Sequence, residues 1–447
     1  MPAYSKLARA TMLALVAVPG VSFAGTFGYA LFGSIEHSDN IALTTSNPAS
    51  TNIIIPGVNF AYQELGSSFQ ANVVGTLEYL DYTNSQYDSQ TRTTLTGQAN
   101  WSIMPQRLDF TIEDDAGIQP VDTLASNAPD NQQQTNVLAL GPVLHFNFNE
   151  ATRGQAEVKY FNSYASKVDD FDSSRGLGAF RVIRDVSPTT QVSLNAESQR
   201  VDFRNNSSGP DYTRNSLYGH YVRTLRDFDV DALLGWTYID FNNAPSASKP
   251  MARVTLGWRP SLSNSFSLMG VYEYSDAAQD MLLQPGQKIV DSMTNVPANP
   301  LDLINDPTRG INTGSMVIDP QVYLDQSVQA TYSYHIERLT LTVAPLYRKL
   351  SYVNNPTFDQ TERNGAFSLD YKLRPTLLLS TFLNVDHTDY HSIDRTDKDY
   401  RFGAALSHQL TDKWSWRASY TRQIRHSTVA GQSYHENEYM LSVVYHR

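Results

Sequence analysis

Apolar and polar residues alternate along this chain in runs of about ten, each closed by a polar stretch. Phe228, Val230, Ala232, Leu234, Trp236 and Tyr238 share one parity, while Asp229, Asp231, Gly235 and Thr237 occupy the other. Val192, Leu194 and Ala196 stand against Gln191, Ser193, Asn195, Glu197 and Gln199. Val254, Leu256 and Trp258 oppose Arg253, Thr255 and Arg259, and Trp414, Trp416, Ala418 and Tyr420 oppose Ser415, Arg417, Ser419 and Thr421. Successive strand side chains point to opposite faces, so each run predicts a strand with one apolar and one polar face. A charged side chain against hydrocarbon costs ~2–4 kcal/mol near the midplane, so the polar face must line a lumen if the apolar face meets lipid. The fold class this implies is all-β, a transmembrane antiparallel up-and-down β-barrel.

Strands are expected near residues 27–35, 57–64, 69–80, 92–103, 108–114, 135–146, 153–163, 175–184, 190–201 and 212–224. The series continues near 227–240, 250–259, 264–275, 322–334, 339–350, 362–373, 376–387, 399–409, 413–423 and 436–446. That makes about twenty strands, or about eighteen if two boundaries merge. The connections alternate long and short: 36–56 then 65–68, 81–91 then 104–107, 115–134 then 147–152. Outer-membrane barrels have short periplasmic turns and longer external loops, so this parity places both termini in the periplasm. Soluble propellers and sandwiches bury their apolar face against a second sheet and lack such ordered loop lengths.

Residues 1–24 carry Lys6 and Arg9, an apolar stretch from Ala10 to Val18, and Ser22-Phe23-Ala24, the pattern of a secretory signal peptide. Residues 25–447 would then be the outer-membrane barrel. No segment offers about 18 uninterrupted apolar residues, which excludes a helical inner-membrane protein. The mean hydropathy of −0.38 suits a barrel, because only alternate strand residues meet lipid. Cysteine is absent, so neither disulfides nor thiolate metal sites contribute. A net charge of −11 argues against nucleic acid as a partner, and 26 Tyr with 5 Trp suit aromatic girdles.

The first hairpin reads FGSIEHSDNIAL, with IIPGVNFAY after a polar loop. Glu36, Ser38, Asp39, Asn40 and Ile41, with Pro56 and Gly57, resemble the start of the β-barrel porin family encoded beside exopolysaccharide operons and PEP-CTERM sorting systems, the EpsL-like proteins. The resemblance in length, strand spacing and turn chemistry runs over most of the chain. It implies an outer-membrane location and a role in moving or tethering extracellular polysaccharide, and brings no catalytic residues or cofactors. The partners it implies are outer-membrane lipids and lipopolysaccharide, the barrel assembly machinery, and exopolysaccharide with its export apparatus. The chain departs from the common pattern by ending in His446-Arg447 rather than an aromatic residue, which leaves Tyr445 as the displaced assembly signal.

The expected lumen face carries Glu157, Lys159, Arg175, Arg181, Glu197, Arg223, Asp229, Asp231, Arg253, Glu273, Arg348, Asp370, Lys372, Arg401 and Arg417. This mixture suits either a water-filled pore for hydrated solutes or a wall whose charges pair across neighbouring strands. Asp386 to Asp399, with His387, Asp389, His391, Asp394 and Asp397, reads as a solvated acidic external loop; its spacing does not specify a metal. His145, His220 and His408 lie on strands without a Gly-x-Ser-x-Gly turn, so the sequence specifies no hydrolase, and no helix is expected. Residues 276–320 form the longest connection, external, with apolar residues such as Met281, Leu282 and Leu283. They are expected either to fold back against the wall and narrow the channel or to form an external cap or polymer-binding arm. The functions that fit are a diffusion or export conduit and, alternatively, an anchoring barrel whose loops bind surface polysaccharide.

Overall fold

The computed structural model describes residues 25–84, 86–205, 209–283 and 321–447. The proposed signal segment and residues 284–320 of the long connection lie outside the described residues. The wall begins with β1 Thr26–Ser38, β2 Thr51–Leu65, β3 Phe69–Tyr82, β4 Gln90–Met104, β5 Leu108–Pro120, β6 Gln132–Asn149 and β7 Thr152–Ala165. It continues through β8 Ser173–Ser187, β9 Thr190–Phe203, β10 Tyr212–Thr224, β11 Phe228–Phe241, β12 Ala247–Ser261, β13 Asn264–Ser275 and β14 Tyr323–Ile336. The last six are β15 Leu339–Tyr352, β16 Gln360–Arg374, β17 Leu377–Tyr390, β18 Arg395–Gln409, β19 Trp414–Ser427 and β20 Tyr434–His446. Each strand pairs antiparallel with the next, and β1 closes on β20 from Ala30↔His446 to Ser38↔Glu438.

Closure follows from the alternation. On β11, Leu234, Trp236 and Tyr238 are exposed on the outer face, whereas Thr237 and Ile239 are buried inside. The ten steps from Phe228 to Tyr238 rise ~33 Å along the strand, which a ~40° tilt reduces to about 25 Å, the height of the apolar band. Below it, near the tight turns, Trp258 stacks on Phe266 at 5.2 Å, Phe266 on Tyr332 at 4.6 Å, and Trp414 meets Tyr445 at 5.1 Å. These rings form a girdle at the turn end of the barrel. Register shifts fall there too, at Ser102/Met104, Asn147/Asn149, Asp185/Ser187, Trp258/Ser261 and Lys372/Arg374, where bulges tighten the hairpins. Gly75 and Gly403 face Phe60 and Phe382 directly across their pairs, and each ring lies over the bare backbone where a Cβ would clash.

The long and short connections alternate as the sequence suggests, but the strands outrun the predicted ones. The stretch expected as an acidic external loop is instead the tip of the β17–β18 hairpin, with Asp386↔Asp399 and Tyr390↔Arg395 in register and only residues 391–394 turning. The reason is physical: above the bilayer the outer face no longer needs to be apolar, so alternation fades while the hydrogen-bonded ladder continues. Arg363, His387, Asp389 and Lys398 occupy that outer rim. Arg223, assigned to the lumen by sequence, pairs with outward Val230 and is exposed near the β10 turn, where water or headgroups can solvate it. The expectation of an all-strand chain also fails, since Ala277–Leu283 forms a seven-residue helix, α1.

The facing assignment is testable at neighbouring strands. Leu234→Arg puts a charge on the lipid face and should cost ~2–4 kcal/mol near the midplane. Thr255→Arg, inward and directly opposite the half-exposed Asp231, should fold nearly as well as the parent. Heat-modifiable mobility in gels would measure both, and equal loss would contradict the facing.

Candidate constriction and lumen wall

Apart from Arg223, the sequence-predicted charged residues stand on the inward face of their strands and mostly engage one another. Arg181 on β8 bridges Glu157 Oε2 on β7 at 2.5 Å and Glu197 Oε1 on β9 at 3.1 Å. Lys159 Nζ joins Glu157 at 3.0 Å and Glu113 on β5 at 3.1 Å, and Tyr218 Oη donates to Glu197 at 2.7 Å. One ionic chain thus laces β5 and β7 to β10. Elsewhere Arg253 pairs with Glu273, Arg259 with Asp229 at 2.5 Å, and His220 Nε2 with Asp231 at 2.8 Å. Ser380 Oγ donates to Asp370 at 2.5 Å, Arg417 Nη1 to Ser407 Oγ at 3.2 Å, and Arg401 lies 3.8 Å from Glu438. Lys372 is exposed near the β16–β17 turn, apart from these groups.

Arg175 and Arg348 do something different: they hold the start of the long connection inside the barrel. Asp276 caps α1, its Oδ1 accepting from the Ala278 and Gln279 amides at 3.1 Å each, while Oδ2 accepts from Arg175 Nη1 at 2.7 Å and Tyr212 Oη at 2.8 Å. Burial alone would raise the Asp276 carboxyl, but the Arg175 charge and hydrogen bonds from Arg175 and Tyr212 hold it down at about 2. Asp280, further along α1, takes Arg348 Nη2 at 2.6 Å, Tyr323 Oη at 2.7 Å and Ser275 Oγ, and Arg348 also holds Asp325 at 2.7 Å. Arg214 reaches the Gln279 side chain. Ala277, Ala278 and Met281 then pack on inward Val137 of β6, Ala165 of β7 and Phe171 in the β7–β8 connection. A segment rooted on β13 therefore lies along the interior as far as β6 and β7, tied to β8, β10, β14 and β15 on the way. Residues 276–281 are thus held against the inner wall.

Other connections fold over the loop end. Ile41 from the β1–β2 connection joins an interior cluster with Phe32, Ile53, Ile55, Leu80 and Tyr82. Leu43, held at φ 51°, meets Ala128 of the β5–β6 connection and Tyr434 of β20, while Arg425 Nη1 donates to the Ala125 carbonyl at 3.3 Å. Asn40 fixes this turn through Thr44 and His435 carbonyls at 2.9 and 2.8 Å.

Residues 361–447 match the model of the family described as "Putative beta-barrel porin 2". No curated protein matches the chain. Among solved structures, the FrpB iron transporter of Neisseria meningitidis is similar over 94% of this chain and 81% of its own, at 10% identity and TM-score 0.46. The ferric enterobactin receptor PfeA of Pseudomonas aeruginosa is similar over 96% and 81%, at 8% identity and TM-score 0.46. OccK2 of Pseudomonas aeruginosa, solved with glucuronate, is similar over 95% and 100%, at 11% identity and TM-score 0.41. The closed wall, its apolar outer band and the family match describe an outer-membrane barrel of porin-like architecture.

Sequence reading missed Asp276, Asp280, Tyr212, Arg214 and Tyr323 as anchors. A local signal existed for one of them, because Asp before Ala-Ala-Gln is an N-cap pattern; their joining across the barrel carried none. Asp276→Ala leaves Arg175 buried without its carboxylate, a loss of about 3–5 kcal/mol for such a pair. Asp276→Ala/Asp280→Ala should release α1 and raise single-channel conductance in a planar bilayer, and a folded variant with parental conductance would exclude a constriction here. A carboxyl held low contributes stability that is complete above its unfolded value near 3.9 and is lost as pH falls through its folded value. The Asp276 anchor should therefore persist from pH 7 to about 4 and fail toward pH 2, as conductance recorded during acidification would show.

Proposed function

We propose that the protein is a conduit through the outer membrane for small hydrated solutes, with exopolysaccharide fragments as the polymer-related cargo. The observation that carries this reading is the polar, ion-paired interior narrowed by the anchored α1. Such a wall offers water and sugar hydroxyls both donors and acceptors, and a twenty-stranded barrel is wide enough to keep an aqueous path beside inward-folded elements. The charged residues named above are then its lining. In this reading the tight turns and both termini face the periplasm and the long connections face outward, where they meet lipopolysaccharide and exopolysaccharide. The assembly machinery would read Tyr445, which packs outward on Trp414.

An anchoring role has its own support, because the β1–β2 and β5–β6 connections join at Leu43, Ala128 and Tyr434 and present a tied surface to polymer. Liposomes containing the folded protein should swell in isosmotic monosaccharide faster than empty ones if the conduit reading holds. Folded protein giving neither swelling nor current, yet retaining polysaccharide on a column, would select the anchor instead.

Orientation has a separate test. An epitope at Gly431 in the β19–β20 connection should be labelled on intact cells, whereas one at Leu262, fully exposed in the β12–β13 turn, should require permeabilisation. The reverse pattern would invert the barrel.

A further inference from the structure

Most inward charges are compensated, but Asp386 on β17 is not. On β16, β17 and β18 the register sets Asn364 opposite Asp386 and Asp386 opposite Asp399, all facing inward. Like charges directly opposite are destabilising, yet Asp386 has neither a hydrogen bond nor an ion pair among the described residues. Glu362, on the same face of β16 and 3% exposed, receives Gln360 Nε2 at 2.6 Å and Asn364 Nδ2 at 3.5 Å. Both amides have thereby spent a donor, and their oxygens remain: Gln360 Oε1, Asn364 Oδ1 and the neighbouring Asn384 Oδ1 are buried without a protein partner. Gln360 is 1% and Asn384 6% exposed.

The surrounding cations are held mainly by other carboxylates, and of the patch Asp399 is the one reached, by Arg425 at 3.7 Å and by Gln423 Nε2 at 3.5 Å. Arg348, opposite Glu362, is held by Asp280 and Asp325. Arg425 lies 2.6 Å from Asp397 and 3.7 Å from Asp399, and Arg401, opposite Asn384, lies 3.8 Å from Glu438. What Asp386 lacks among the described residues is a positively charged donor. A buried acceptor left unpaired is costly, and several acceptors together select a ligand that donates in several directions. The described residues hold no group of three or more His, Asp or Glu side chains fit to hold a metal ion. An ammonium, with three N–H donors, or a guanidinium, with five, meets the demand. The patch lies beside the short turn 391–394 at the loop end, at the level where Arg348, opposite Glu362, holds Asp280 of α1.

We propose that Glu362, Asp386 and Asp399, with the amide oxygens of Gln360, Asn364 and Asn384, form a recognition subsite for organic cations bearing N–H donors. This deepens the conduit reading and rests on it only for the claim that such solutes pass through. Spermidine is a suitable probe, being rich in ammonium donors. Calorimetry on the full-length folded protein in detergent should show spermidine binding that weakens with added salt. The binding should fall roughly tenfold, the order expected for lost charge-assisted hydrogen bonds, in Asp386→Asn/Glu362→Gln. Asp386→Glu should retain most of it, and Asp412→Asn, in an exposed turn, should bind like the parent. Unaltered affinity in a folded double variant, or no binding to the parent, would overturn the subsite. Spermidine-dependent current block that vanishes in the double variant would support subsite and conduit together. Binding that depends on Asp386 in a protein that carries no current would uphold the subsite and sink the conduit.

Discussion

Inside hydrocarbon no water is present to pair a backbone N–H or C=O, so every group in the spanning region must find its partner within the chain. For strands the only complete solution is a closed sheet. Here closure depends on the meeting of β1 with β20, which brings together residues about as far apart in sequence as the chain permits. Side chains reinforce the seam: Ser34 and Ser442 hydroxyls lie 2.7 Å apart, Ser38 donates to Glu436 at 2.5 Å, and Asn437 Nδ2 donates to Asp39 at 2.6 Å. At the other end of the seam Arg447 N donates to the Tyr29 carbonyl at 3.1 Å. The final residues therefore contribute to closure even though the last one is not aromatic.

A wall this wide encloses more space than its own side chains fill, and the interior is organised by pairing charges. The chain from Glu113 through Lys159, Glu157 and Arg181 to Glu197 neutralises inward groups in place. Arg175 and Arg348 each also reach a carboxylate from outside the strands, Asp276 and Asp280, and so turn wall charge into an attachment for α1. A seven-residue helix has little stability of its own. Its position comes from the Asp276 cap, the arginines that clamp both its carboxylates, and the apolar contact of Met281 with Val137 and Phe171. The same logic leaves Asp386 distinct, because the nearby arginines are engaged by other carboxylates.

Much of the wall was legible in residue order. Leu234 and Trp236 against Asp231 and Thr237 state which way each side chain must point, since period-two alternation leaves a strand between lipid and water no other arrangement. Counting the alternating segments set the strand number, and the ordered loop lengths were an independent check on it. Legibility ended where the lipid constraint ended. At the β17–β18 tip the outward residues are His387, Asp389 and Lys398, and without an apolar face the strand reads as loop. Arg223 misled for the same reason at the other rim, where a charged residue can face outward in contact with headgroups.

The candidate site was legible in kind but not in arrangement. Charge and parity placed Arg175, Arg348 and Glu157 on the inner wall, yet nothing local distinguishes Arg181, which bridges two neighbouring strands, from Arg175, which grips Asp276 from a distant connection. Alternation is a local property, imposed residue by residue by the two solvents on either side of one sheet, and the sequence by itself determined the strands, their facing and the barrel. Which carboxylate meets which arginine across the lumen depends on barrel closure and on the curvature that brings β13 within reach of β6. Those distances exist only once the last strand has met the first, so the tertiary structure alone decided where α1 is anchored and which groups surround Asp386.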